Sequence, residues 1–150
     1  VSQPLPDNAR FDALVLPVSR PEVPCWLIDT VRPVRIALLA SEKSLDAAAK
    51  IEAHARQSGV DVFTHVLLDA DDAAAFRAQA AKCVRQLRRA GATRIAVDTT
   101  GGKVPMSLGC FMAAEETGAT TLYVSTDYGP ALKGSIPGSE RLVAVTTPVH

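Results

Sequence analysis

Residues 94–107 read R-I-A-V-D-T-T-G-G-K-V-P-M-S, and this stretch decides the fold. Arg94 to Val97 is a short, continuous apolar run of the kind that forms a buried strand. Thr99 to Lys103 is a polar loop containing paired glycines, and an apolar-rich segment from Val104 to about Thr117, stopped by Gly118, predicts a helix. A strand that passes through a tight glycine loop into a helix is the repeating joint of an α/β domain.

The same alternation extends in both directions. Asp12 to Ser19 (DALVLPVS) predicts a buried strand, with Pro17 near its end, where a missing N–H is tolerated. Pro21 to Val31 predicts a short helix and Val34 to Ala40 a second strand. Ser41 or Ser44 caps a helix to about Ser58, with Leu45, Ala48, Ile51 and Ala55 on one face and Gly59 at its end. Val60 to Leu67 is a third strand. Asp69 or Asp71 caps a helix to about Ala90, whose inward stripe is Phe76, Ala80, Cys83, Val84 and Leu87, and Gly91 ends it. Beyond the decisive stretch, Thr121 to Ser125 is a fifth strand. Residues 126–141, with three glycines and two prolines, form a long loop or distorted hairpin before a last strand at Leu142 to Thr146. The expected architecture is Rossmann-like α/β: a mostly parallel sheet of about six strands with helices on both faces. Residues 1–11 are polar and proline-containing and read as an arm before a single domain at 12–150.

Composition narrows the function. Sixteen basic and sixteen acidic residues cancel, whereas a duplex-binding protein carries a basic excess, so no duplex nucleic acid is expected as a partner. Cys25, Cys83 and Cys110 are dispersed, and so are His54, His65 and His150; neither a disulfide framework nor a metal set is indicated, and the pattern suits a reducing cytoplasm. There is no apolar run of about 18 residues. The chain begins with Val1, which suggests a piece of something longer.

In doubly wound folds ligands gather at the carboxyl ends of the strands. Three loops leave there with small, polar or basic residues: Ser19-Arg20, Ser41-Glu42-Lys43-Ser44, and Thr99-Thr100-Gly101-Gly102-Lys103. In the third, paired glycines permit close backbone approach and positive φ, the following helix presents its N-terminus, and Lys103 adds a full charge. This is a phosphate cradle, although neither GxxxxGK[ST] nor GxGxxG is present. The plainer reading is a tight β-to-α connection.

The block Asp98-Thr99-Thr100-Gly101-Gly102-Lys103-Val104-Pro105-Met106-Ser107 resembles the signature of CARF (CRISPR-associated Rossmann fold) domains, and LVLPVS followed by RPVRIALLASEKS resembles their first two strands and loops. The resemblance covers nearly all of the chain from residue 12. It departs at Val104, where many members carry a lysine, so that either Lys103 meets phosphate alone or backbone amides carry more of the contact.

The resemblance implies a homodimeric sensor of type III CRISPR antiviral defence that binds cyclic tetra-adenylate, or cyclic hexa-adenylate, across its two-fold axis and needs no cofactor. An even ring contains a two-fold axis, so each subunit meets half of it through the same loops. By position, Ser19, Arg20, Ser41, Thr99, Thr100, Gly101, Gly102 and Lys103 become the ligand-binding residues, with Lys43 as a further donor. Ser41 is equally a helix cap, and Arg20 a solvated side chain. Asp98 is expected to hold the loop through backbone amides, Met106 and Ser107 to support it, and Trp26 to lie in the core or a dimer interface. Tyr128 either stacks on adenine or is an exposed loop residue. The alternative activity is a metal-independent ring nuclease, in which Lys103 stabilises developing charge and Ser19 orients the phosphate. The effector is expected N-terminal to residue 1, either as a transmembrane helix, which would anchor the parent protein in the inner membrane through a segment outside this chain, or as a different partner.

Overall fold

The strand segments are almost uniformly apolar rather than alternating, and this dictates burial on both faces. In the computed structural model, which describes residues 10–125 and 140–146, the first five form parallel strands: β1 (Ala13–Pro17), β2 (Arg35–Ser41), β3 (Asp61–Leu67), β4 (Ile95–Asp98) and β5 (Thr120–Ser125). A sixth, β6 (Arg141–Thr146), runs antiparallel to β5, and the sheet order is β3-β2-β1-β4-β5-β6. All five residues of β1 and all four of β4 are buried, as befits the sheet centre.

Four helices fill the crossovers: α1 (Glu22–Val31), α2 (Leu45–Gln57, after one 3₁₀ turn at Glu42–Ser44), α3 (Ala73–Arg89) and α4 (Val104–Thr117). Helices α1 and α2 cover one face, where Leu27, Ile28, Ile51 and Ala55 meet Leu14, Leu16, Ile36 and Leu38. Helices α3 and α4 cover the other, where Phe76, Val84, Leu87, Met106 and Cys110 meet Val15, Leu39 and Val97. The domain core begins at Phe11, which is buried against the α1–α2 face, and Trp26 is half-buried on the same cluster.

Helix ends follow the sequence with two changes. Gly59, Gly91 and Gly118 all take positive φ where they were expected to end helices. The cap of α3 is Asp72 rather than Asp69 or Asp71; its carboxylate accepts from the Ala75 N–H at 3.0 Å, while Asp69 instead closes a turn on the Asp71 N–H at 2.8 Å. Leu45, the first residue of α2 and expected inward, is instead 46% exposed, while Ala48, Ile51 and Ala55 are buried as expected. Residues 1–9, 126–139 and 147–150, including Tyr128, lie outside the described residues.

At the amino end of the sheet, Asp12 ties β1 to the α3–β4 connection. Its carboxylate accepts from the Thr93 N–H (2.8 Å), the Thr93 hydroxyl (3.1 Å) and the Arg94 N–H (3.0 Å). Desolvation pushes the Asp12 carboxyl upward, but these donors together outweigh it and hold the group below the ordinary carboxylate range. Its contribution is therefore complete above the unfolded-state value and is lost as pH falls through the lowered one. Asp12→Asn is expected to lose about 1 kcal/mol at neutral pH, a modest figure for a partly solvated group. Urea unfolding of both proteins should show this difference shrinking as pH falls below about 4.

Candidate functional site

The chain leaves β1 toward β2 and leaves β4 toward β5, on opposite sides, so the topological switch point lies between the carboxyl ends of β1 and β4. Ser19 and the Thr99–Lys103 turn meet there. The turn is built on Asp98, fully buried at the end of β4, whose two oxygens accept from the Thr100 N–H (2.9 Å) and the Gly101 N–H (2.8 Å). Burial pushes this carboxyl upward, and the Gly101 and Thr100 amides pull against it.

Each neighbouring polar group fastens the turn further. The Ser19 N–H and hydroxyl both donate to the Gly101 carbonyl, at 2.9 and 2.8 Å. The Thr99 N–H and hydroxyl both donate to the Leu122 carbonyl, at 2.9 and 2.8 Å, and the Thr100 hydroxyl accepts from the Val124 N–H at 2.7 Å. The turn is thus anchored to the end of β1 on one side and to β5 on the other. The Lys103 N–H contacts the Met106 sulfur at 3.2 Å, and the Ser107 hydroxyl reaches the Gly102 carbonyl at 3.5 Å. Met106 is buried and supports the turn from below, as expected.

The paired glycines serve a purpose that differs from the expected one. Neither Gly101 nor Gly102 has positive φ. Instead each lies against the end of β1. A Cβ on Gly101 would stand 2.8 Å from the Pro17 carbonyl oxygen and 3.2 Å from an Asp98 carboxylate oxygen, and one on Gly102 would stand 2.9 Å from the Pro17 Cβ. The glycines are required because β1, β4 and the turn converge and leave no room for a Cβ.

The anticipated ligand-binding residues therefore divide. The hydroxyls of Ser19, Thr99 and Thr100 and the N–H of Gly101 are engaged within the protein. Ser41 is 5% exposed; its N–H donates to the Ser44 hydroxyl at 2.9 Å, which is the capping arrangement. Arg20, Lys43 and Lys103 are exposed. Among the described residues the Gly102 N–H has no acceptor, and the Val104 N–H is one of the open amides of the first turn of α4. Pro105, at the second helical position, sacrifices no hydrogen bond there. What the site offers is an open amide, a helix N-terminus and the Lys103 ammonium on a rigid turn, an arrangement suited to phosphate oxygens.

Other chemistries find less. Burial pushes the Cys83 thiol up to about 11 and the Cys110 thiol higher still, so both stay protonated at neutral pH. Among the described residues no three His, Cys, Asp or Glu side chains are grouped to hold a metal ion. His54 pairs with Asp29 at 2.6 Å, joining α2 to α1.

No family model matches the chain, and no curated protein matches it in sequence. Solved structures do match in fold. A type III CRISPR defence DNA nuclease activated by cyclic oligoadenylate superposes with a TM-score of 0.68 at 24% identity, over 85% of this chain and 20% of that one. Can2 from Sulfobacillus thermosulfidooxidans, in complex with cyclic tetra-adenylate, gives 0.64 at 18% identity, over 77% and 32%. Enterococcus italicus Csm6, bound to cyclic hexa-2'-fluoro-hexa-dAMP, gives 0.61 at 14% identity, over 77% and 34%. This chain thus spans between a fifth and about a third of the length of these structures. With the signature-like segment Asp98–Ser107 standing at the β4–α4 joint of a matching sheet, the chain has the fold of the CARF domains.

Proposed function

We propose that this domain is the sensor of a type III CRISPR antiviral effector, binding a cyclic oligoadenylate, cyclic tetra-adenylate in preference to cyclic hexa-adenylate, across the two-fold axis of a homodimer. The observation that carries the reading is the turn after β4: a switch-point loop braced by Asp98, Ser19 and β5 that leaves the Gly102 amide, the α4 N-terminus and Lys103 available to phosphate. Arg20 and Lys43 are exposed on the two neighbouring loops and complete a basic rim. The ligands held by Can2 and Csm6 support an even-membered ring.

The dimer has support from α4. Val104, Leu108 and Met112 recur every four residues and are 71, 54 and 43% exposed, an apolar stripe that begins beside Lys103. A second copy related by a two-fold axis would cover it and bring two Lys103 side chains to one ring. Among the described residues no helix is long and apolar enough to cross a membrane. The effector that such a sensor would control is proposed to be a membrane-spanning segment outside this chain.

Calorimetric titration with cyclic tri-, tetra- and hexa-adenylate tests the reading. One even ring should bind per two chains, and Lys103→Ala should weaken it at least about tenfold by removing a charge-assisted phosphate contact. Chromatography of the recovered ring separates the two activities: intact ligand leaves a sensor, while linear products assign a ring nuclease. Failure to bind any ring overturns the proposal.

A further inference from the structure

Residues 73–94, which form α3 and its connection to β4, contain six Lys or Arg residues and no Asp or Glu, although the whole chain carries sixteen charges of each sign. Phe76, Ala80, Cys83, Val84 and Leu87 seat α3 on the sheet, and Lys82, Arg85, Arg88 and Arg89 are exposed to solvent. Lys82, Arg85 and Arg89 follow at i, i+3 and i+7, a ridge about 10 Å long, with Arg88 beside it.

These four cations are free. Among the described residues none of their side chains has a hydrogen-bond or ion-pair partner. The carboxylates that approach are committed elsewhere. Glu116 meets Arg77 through both oxygens, at 3.4 and 3.0 Å, although its field also reaches Arg85. Asp61 pairs with Arg35 at 3.6 Å. Asp69, Asp71 and Asp72 stand before the first turn of α3. Lys82 lies about 15 Å along the helix from Asp72, beyond the screening length of about 10 Å at 0.1 M salt.

Helix stability does not explain the ridge. Cations favour the last turn of a helix, which accounts for Arg88 and Arg89 but not for Lys82 and Arg85. Like charges three or four residues apart, as at Lys82–Arg85 and Arg85–Arg89, weaken a helix. On the other face of the sheet α2 mixes its signs, and Glu52 pairs with Arg56 at 3.6 Å.

We infer that this ridge docks the domain on an anionic lipid surface. The residues exposed among the cations are Ala78 and Gln86, so no large apolar side chain is offered to the core of a protein interface. The aromatic residue of α3, Phe76, is fully buried, which leaves no platform for stacked bases. Nucleic-acid phosphates run in a line, of which a short ridge meets few. Lipid headgroups lie in a plane, on which the ridge and Arg88 settle together. Arg77 joins Glu116 one residue before α4 ends, so Lys82 to Arg89 run past that helix and stay clear of the Val104–Met112 stripe.

In the test the whole chain is floated with phosphatidylcholine vesicles containing about 30 mol% phosphatidylglycerol, in about 50 mM salt, beside vesicles of phosphatidylcholine alone. No cyclic oligoadenylate is present, so the outcome is independent of the ring titration. The expected result is flotation with the anionic vesicles only, lost as salt rises to about 300 mM. Lys82→Gln with Arg85→Gln should lower the partition coefficient at least about tenfold with no fall in melting temperature, since both are exposed and outside the last turn. Lys50→Gln with Arg56→Gln removes the same charge from α2 and should float like wild type. No flotation by wild type, or an equal loss in the two double variants, overturns the inference. So does tighter binding of a labelled DNA duplex that the Lys82 and Arg85 variant loses, which would make the ridge a nucleic-acid contact.

Discussion

Gly109→Ala should destabilise the domain by about 3 kcal/mol. Gly109 lies midway along α4, where a glycine costs helix stability unless packing requires it. The requirement is explicit. A Cβ there would stand 2.5 Å from the Ala73 carbonyl oxygen, 2.7 Å from the Arg77 backbone nitrogen and 3.0 Å from the Phe76 Cβ. These are the first residues of α3, and two of the three obstacles are backbone, so no rotamer change relieves them. The α3–α4 pair closes one whole face of the sheet through Phe76, Cys83, Val84, Cys110 and Ala113. Forcing the helices apart loosens that face and shifts the N-terminus of α4, on which the proposed phosphate site stands. For a domain of this size the expected change is a melting temperature lower by roughly 10 °C. A melt within about 2 °C of wild type would show that α3 and α4 accommodate the methyl.

Asp98→Ala should abolish the proposed ring binding, an affinity loss of about a hundredfold or more, and cost about 2–4 kcal/mol of stability. The substitution leaves the Thr100 and Gly101 amides without acceptors at a buried turn, and relief from burying a carboxylate only partly offsets that loss. The turn must then find other partners, and the positions of Gly102 and Lys103 change with it. Asp98→Asn separates shape from acceptor count, since it keeps the volume but presents an oxygen to one amide and an NH₂ to the other. It should bind between wild type and Asp98→Ala. Calorimetry with cyclic tetra-adenylate, beside urea unfolding of each variant, checks both effects. Wild-type affinity in a folded Asp98→Ala protein would sink the claim that the brace positions the site.

These two positions were unequally legible. Asp98 ends an apolar strand two and three residues before the amides it holds, a local spacing that sequence reading interprets without knowing the fold. Gly109 was silent, because its obstacle is α3, more than 30 residues away in sequence. At Gly101 and Gly102 the expected positive φ is not what the structure uses. A glycine pair before a helix suggests conformational freedom, but the constraint comes from Pro17 at the end of another strand. Ser19, Thr99 and Thr100 were likewise found by position and type. Their hydroxyls proved to fasten the loop because the fold brings the Gly101 carbonyl to within 2.8 Å of Ser19, and brings the Leu122 carbonyl and Val124 N–H of β5 to within 2.8 Å of Thr99 and Thr100.

The sequence by itself therefore determined what is local: apolar runs that become buried strands, glycines that end helices, the carboxylate that organises its own turn, and the order of elements that makes the sheet mostly parallel. Periodicity, capping and turn chemistry act over a few residues and are written in consecutive positions. Tertiary structure alone decided which polar groups remain open to a ligand and which helix faces must be bare of side chains. Those outcomes depend on segments distant in sequence arriving at one place, where steric exclusion and hydrogen-bond competition choose among residues that look alike along the chain.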